Sequence, residues 1–200
     1  MSPGGVPAEA NPFASHAVGP GRLEYLFPDP RDSLESVAAR ARALGLRAQL
    51  VGPHGTGKST LLAHLLRLLR ETGPEPHLVR LTRERPWLPA DWMPRPPAGL
   101  LALDGAEQLG PLAWRWVRVR TRLAGCGLLV TSHHDLGLPL LHETRMDPTL
   151  ALRVLRALLR DRRAPPPEAE VARLLARHGG NLRDLLLTLY EQAAGVTGQS

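Results

Sequence analysis

The sequence predicts an α/β fold built on a parallel sheet. Two observations carry that expectation. Short, nearly continuous apolar runs (RAQLV, HLVRL, LLAL, GLLVT) recur between segments of helical period, and runs of four or five such residues suit strands buried on both faces. The first junction between a run and a helix, VGPHGTGKST from Val51 to Thr60, is a glycine-rich turn of the kind that connects a strand to a helix. With 200 residues and 43% hydrophobic content, the chain can build one sizeable core and a small appendage.

In order along the chain, residues 1–30 read as an extended N-terminal segment punctuated by proline and glycine, with Phe13, Tyr25 and Phe27 as anchors. Asp32 to Leu44 reads as a helix stopped by Gly45. Arg47 to Val51 forms the first strand, and Lys58 to Arg70 a helix apolar on most of its circumference. His77 to Leu81 is a second strand. The stretch RERPWLPADWMPRPPAG then has no period, five prolines, and Trp87 and Trp92, which either pack as a loop's own core or present an aromatic surface. Leu100 to Leu103 is the third strand. The helix Pro111 to Leu123 segregates into an apolar stripe (Leu112, Trp116, Val119, Leu123), expected to face the core, and a basic one (Arg115, Arg118, Arg122). Gly127 to Thr131 is the fourth strand and Leu138 to Thr144 a weaker fifth. Asp147-Pro148 caps a helix running to Arg160, and RRAPPPEAE breaks it. Glu168 to His178 turns Val171, Leu174 and Leu175 to one side. A last helix opens at Asn181 with Leu182, Leu185, Leu186 and Leu189 inward.

The turn after the first strand has the pattern G-x-x-x-x-G-K-[ST] at Gly52, Gly57, Lys58 and Ser59, and Lys58 is the only lysine in the chain. Glycines there let successive N–H groups converge on phosphate oxygens at a helix N-terminus, where the dipole favours negative charge. The lysine reaches the β- and γ-phosphates, and the serine hydroxyl suits Mg²⁺. The candidate nucleotide-binding set is therefore Gly52, Pro53, His54, Gly55, Thr56, Gly57, Lys58, Ser59 and Thr60. On these residues the chain resembles the P-loop NTPases, with an intact Walker A motif.

The resemblance extends to LLALDGAEQL, similar to a Walker B motif, in which Asp104 would hold Mg²⁺ opposite Ser59. ATPases of this kind usually carry a glutamate directly after that aspartate. Here Gly105 follows, and Glu107 is the nearest acid able to activate water. At the end of the fourth strand, TSHHD places Thr131 or Ser132 where AAA-type ATPases have sensor 1; the run also resembles the switch histidine of ABC ATPases, but no LSGGQ-like signature precedes the Walker B segment. Arg183 in GGNLRDLL matches sensor 2 by position, and NPF near the start resembles the entry to ExeA- or TniB-like AAA proteins. The resemblance implies a three-layer P-loop NTPase fold with a five-stranded parallel sheet ordered 5-1-4-3-2. It implies a core over residues 31–160 and a small helical lid and tail over 161–200. It also implies ATP and Mg²⁺ as ligands, slow hydrolysis used as a conformational switch, and a homo-oligomer or protein partner.

Composition narrows the alternatives. Net charge is +6, yet every basic residue but one is Arg and there is no Ile, so a general arginine bias accounts for much of the excess. Arg115, Arg118 and Arg122 still form a stripe that could follow a DNA backbone, which makes a non-hydrolysing, ATP-dependent DNA- or protein-binding module the rival reading. A small-molecule kinase using Arg160, Arg162 and Arg163 as a phosphate clamp is a second. No long apolar run predicts a membrane span, and no signal-peptide pattern opens the chain, so a cytoplasmic protein is expected. Cys126 reads as a small buried hydrophobe. His133, His134 and His142 do not suit a metal site, because neighbouring residues on a strand point opposite ways.

Overall fold

The computed structural model describes residues 24–73, 75–95, 99–159 and 165–193. Phe13, the NPF stretch and the arginines at 160–163 lie outside the described residues. The described residues form two compact units, one drawn from residues 29–52 and 61–144, the other from residues 24–28, 53–60, 145–159 and 165–193.

The first unit holds β1 (Arg47–Val51), β2 (Pro76–Arg80), β3 (Leu100–Asp104), β4 (Gly127–Ser132) and β5 (Leu140–Glu143). All neighbouring strands are parallel, and their order is β2-β3-β4-β1-β5. Read from the other edge this is the expected 5-1-4-3-2. The apolar runs are continuous because the central strands are covered on both sides: Leu101, Leu103, Leu128 and Val130 belong to one cluster, and Leu100, Ala102 and Leu129, at alternate positions, are equally buried. β2 starts and ends one residue earlier than expected. Leu81 lies just past it, where its N–H donates to the Asp104 carbonyl at 2.8 Å. β5 is shorter than expected, although the Thr144 N–H still donates to the Val51 carbonyl at 2.8 Å.

Three helices belong largely to this unit. Ser33 caps α1 (Leu34–Ala43) by a reciprocal pair of hydrogen bonds with Ser36, so the helix begins after Ser33 instead of at Asp32. α2 (Lys58–Arg70) has the expected bounds and buries Leu61, Leu62, Leu65, Leu66 and Leu69. α3 (Pro111–Leu123) also has the expected bounds, but its orientation corrects the sequence reading. The buried residues are Trp114, Val117 and Thr121, whereas Leu112, Trp116, Val119 and Leu123 are exposed. Polar contacts set this face. The Trp114 indole donates to the Leu136 carbonyl at 3.0 Å, and the Arg47 guanidinium reaches the Cys126 carbonyl at 2.8 Å and the Thr121 hydroxyl at 3.2 Å. Of the two tryptophans in the loop before β3, Trp92 joins the core and Trp87 is exposed.

The second unit contains α4 (Pro148–Leu159), α5 (Glu168–Arg177) and α6 (Leu182–Ala193). Their inward leucines, with Val171 and Val154, form one cluster against which Leu26 and Tyr190 pack. Asp147 caps α4 by accepting from the Leu150 N–H at 2.8 Å, and Asn181 caps α6 by accepting from the Arg183 N–H at 3.0 Å. Among the described residues no helix is long and apolar enough to cross a membrane.

Candidate functional site

The strand order brings the C-terminal ends of β1, β4 and β3 side by side, where ligands of open parallel sheets bind. Asp104 closes β3. Its Oδ1 accepts a 2.8 Å hydrogen bond from the Thr131 hydroxyl of β4, which in turn accepts from the Gly105 N–H at 2.8 Å. Arg80 at the end of β2 lies 3.9 Å from the other carboxylate oxygen. Thr131 therefore orients the aspartate. Ser132, fully buried, joins the strand ends: its hydroxyl accepts from the His134 N–H at 3.2 Å and its carbonyl from the Gly52 N–H at 3.2 Å.

The structure explains why a glycine follows Asp104. Gly105 has φ 86° and ψ 41°, the left-handed region, and a Cβ there would come within 2.6 Å of the Leu81 carbonyl oxygen. A glutamate at this place would be strained and obstructed. The chain turns there into a short 3-10 segment, Ala106–Gln108, and Glu107 meets the His133 ring, Oε1 to Nε2 at 3.0 Å. Its second oxygen, Oε2, is buried with no hydrogen-bond partner among the described residues. Such an atom has a strong demand for a donor such as water.

His133 is the residue that sequence reasoning undervalued. Its Nδ1 lies 3.1 Å from the Gly52 carbonyl while Nε2 faces Glu107, so the ring links the acid to the first residue of the candidate phosphate-binding motif. Both contacts can be hydrogen bonds only when the pair holds one proton more than a neutral imidazole and a carboxylate, because a neutral ring has a single N–H. The histidines do not converge on a metal: His142 is buried on β5, 3.9 Å from Asp32, and among the described residues no three His, Cys, Asp or Glu side chains group as a metal site.

The glycine-rich turn residues from Pro53 to Thr60 belong to the second unit and are described with it. Lys58 opens α2 and is 8% exposed, its ammonium donating to the Pro53 carbonyl at 2.6 Å. The Thr56 hydroxyl donates to the same carbonyl at 2.9 Å. Gly55 has φ 70°, and a Cβ on it would strike the Asn181 side chain at the start of α6. The loop thus packs against the N-terminus of the helix that carries Arg183, whose own side chain is exposed. Tyr25 lies beside Gly57 and packs edge-on to Phe27, ring centroids 4.9 Å apart. The sequence marks Tyr25 as an anchor and Asn181 as the start of a helix, but it carries no local signal that either meets a glycine of this loop.

No family model and no curated protein matches the chain in sequence. Solved structures do match in shape. NtrX from Brucella abortus in complex with ATP superposes with a TM-score of 0.56 at 18% identity, over 90% of this chain and 52% of that one. The replication initiator DnaA bound to AMPPCP and single-stranded DNA gives 0.54 at 16% identity, over 84% and 66%. A Walker-type ATPase of Pyrococcus abyssi gives 0.52 at 14% identity, over 84% and 68%. The chain spans about half to two thirds of the length of the first two. At these identities the likeness is one of fold. The all-parallel sheet, its strand order and these superpositions together show the P-loop NTPase fold.

Proposed function

We propose that the chain binds Mg-ATP and hydrolyses it slowly, using the nucleotide state as a conformational switch. The observation that carries this reading is the fixed carboxylate of Asp104, oriented by Thr131 at the end of β3, in a sheet whose β1 leads directly into the Walker A residues. Lys58 and the loop amides from Gly52 to Thr60 take the triphosphate. Arg183 and the strand-end residues Thr131 and Ser132 report the γ-phosphate. The oxygen donors Ser59 and Asp104 suit Mg²⁺, and the ion, when bound, neutralises charge on the phosphates. Glu107 orients the attacking water through the oxygen that His133 leaves unengaged. ATP-bound NtrX and AMPPCP-bound DnaA, similar in fold, support the choice of ATP. Lys58→Ala tests the assignment: titrated with a fluorescent ATP analogue, the variant loses binding by at least about tenfold, and wild-type affinity would overturn the reading.

The second reading is a non-hydrolysing, ATP-dependent module that binds DNA. It is favoured by Gly105 in place of a glutamate and by the exposed Arg115, Arg118 and Arg122 on α3. DnaA, similar in fold, was solved with single-stranded DNA. Salt-sensitive DNA binding without ATP turnover selects this reading. The kinase alternative rests on arginines outside the described residues and gains no support.

A further inference from the structure

The residues that sequence reading assigned to the core of α3 stand on its outer side. Leu112 is 84% exposed, Leu123 80%, and Trp116 and Val119 48% each. Their spacing is four, three and four residues, the alternation that places apolar side chains on one seam of a coiled coil. At about 100° per residue the four fall in one narrow stripe, and Trp114, Val117 and Thr121, which bury against the sheet, lie on the opposite side. The helix therefore has two apolar faces, of which the described residues cover one.

The outer face is held in place from beneath. Trp92, buried at the edge of the core, contacts the Trp116 ring with centroids 4.9 Å apart and planes 51° from each other. The inner face is fixed by the indole hydrogen bond of Trp114 to the Leu136 carbonyl. A partner would meet Trp116 already positioned at the middle of the stripe, and that ring would lose little freedom on binding.

Charge selects the partner. With Leu112 and Val119 at d and Trp116 and Leu123 at a, the flanking g positions are Arg115 and Arg122, and the e positions are Ala113 and Arg120. None of these three arginines is paired with an acidic side chain among the described residues. Pairing with a second copy would bring arginine against arginine, in parallel or antiparallel arrangement, and like charges at these positions disfavour association. We infer that the outer face of α3 is a docking seam for an amphipathic helix of another protein, with apolar residues at heptad spacing and Asp or Glu on both sides of them.

The test uses the full chain and a fluorescein-labelled synthetic helix of about four heptads with Leu at a and d and Glu at e and g. A second peptide carries Lys in place of Glu. Anisotropy titration should give saturable binding of the Glu peptide and at least about tenfold weaker binding of the Lys peptide. Leu112→Gln with Leu123→Gln should weaken the Glu peptide about tenfold, and because both leucines stand in water the melting temperature should stay near wild type. Arg115→Glu with Arg122→Glu, which deletes no apolar seam residue, should exchange the preference between peptides. Equal binding of the two peptides, or Glu-peptide binding untouched by the leucine pair, overturns the proposal. A dimer in solution that the leucine pair dissolves assigns the seam to a second copy and likewise overturns it. So does a short DNA duplex that displaces the peptide and whose own binding needs the arginines but not the leucines.

Discussion

Thr131 donates a 2.8 Å hydrogen bond to the Asp104 carboxylate and accepts another from the Gly105 backbone, so one hydroxyl fixes both the acid and the turn behind it. Thr131→Val keeps the shape of the side chain and removes both bonds. If Asp104 holds magnesium, the loss of an orienting partner should weaken metal-dependent turnover by about 10–100-fold. Titrating ATPase activity against Mg²⁺ should move half-saturation to higher concentration, with metal-free nucleotide binding nearly unchanged. An unaltered magnesium curve would remove Thr131 from this role.

The contact between Glu107 and His133 predicts a pattern among variants. Glu107→Gln should bind ATP and turn over about 10²–10⁴-fold more slowly. His133→Asn should slow turnover by about tenfold or more while leaving nucleotide affinity in place. Because both act at one carboxylate, the double variant should lose no more than Glu107→Gln alone. Multiplying losses would mean that the histidine acts elsewhere.

Placing a glutamate directly after Asp104, as in the ATPases that the sequence resembles, should not raise ATP turnover. Gly105→Glu puts a side chain in the left-handed region and against the Leu81 carbonyl. Strain of this kind costs about 1–3 kcal/mol. A urea melt should show the loss directly, and ATP turnover should not rise.

Burial holds the His142 imidazole below its ordinary protonation range, with Asp32 opposing and Arg40 assisting. The unfolded chain takes up this proton near pH 6.5 and the folded chain only at lower pH. Between those two values the unfolded state binds more protons, so stability falls as the solution is acidified through that window and is regained as pH rises. His142→Gln removes the linked proton, and its melting temperature should decline less than that of the wild type between neutral pH and pH 5. Parallel decline of the two proteins would assign the acid sensitivity to other groups.

The positions of the strands were legible because glycine, proline and continuous apolar runs mark both the ends and the two-sided burial of parallel strands. β1 and α2 have the expected bounds for that reason. Helix period, by contrast, reveals that residues segregate but not which side faces inward. α3 carries two apolar stripes, and the cleaner one faces water. The choice was made by partners far away in sequence, Leu136 for Trp114 and Arg47 for Thr121. At the site, the sequence offered Glu107 as the nearest acid to Asp104, but its meeting with His133 depends on β3 and β4 lying side by side. The packing of Asn181 and Tyr25 on the loop glycines likewise joins residues that are distant in the chain.

The placement of β1 has a consequence for how the molecule comes into being. Among the described residues its neighbours in the sheet are β4 and β5, supplied by residues 127–143, whereas β1 itself ends at Val51. During synthesis the strand that precedes the glycine turn leaves the ribosome long before anything can pair with it. If the turn after β1 holds nucleotide in its folded form, that form awaits the synthesis of residues 127–143, and nucleotide would stabilise the chain only once β4 and β5 are in place.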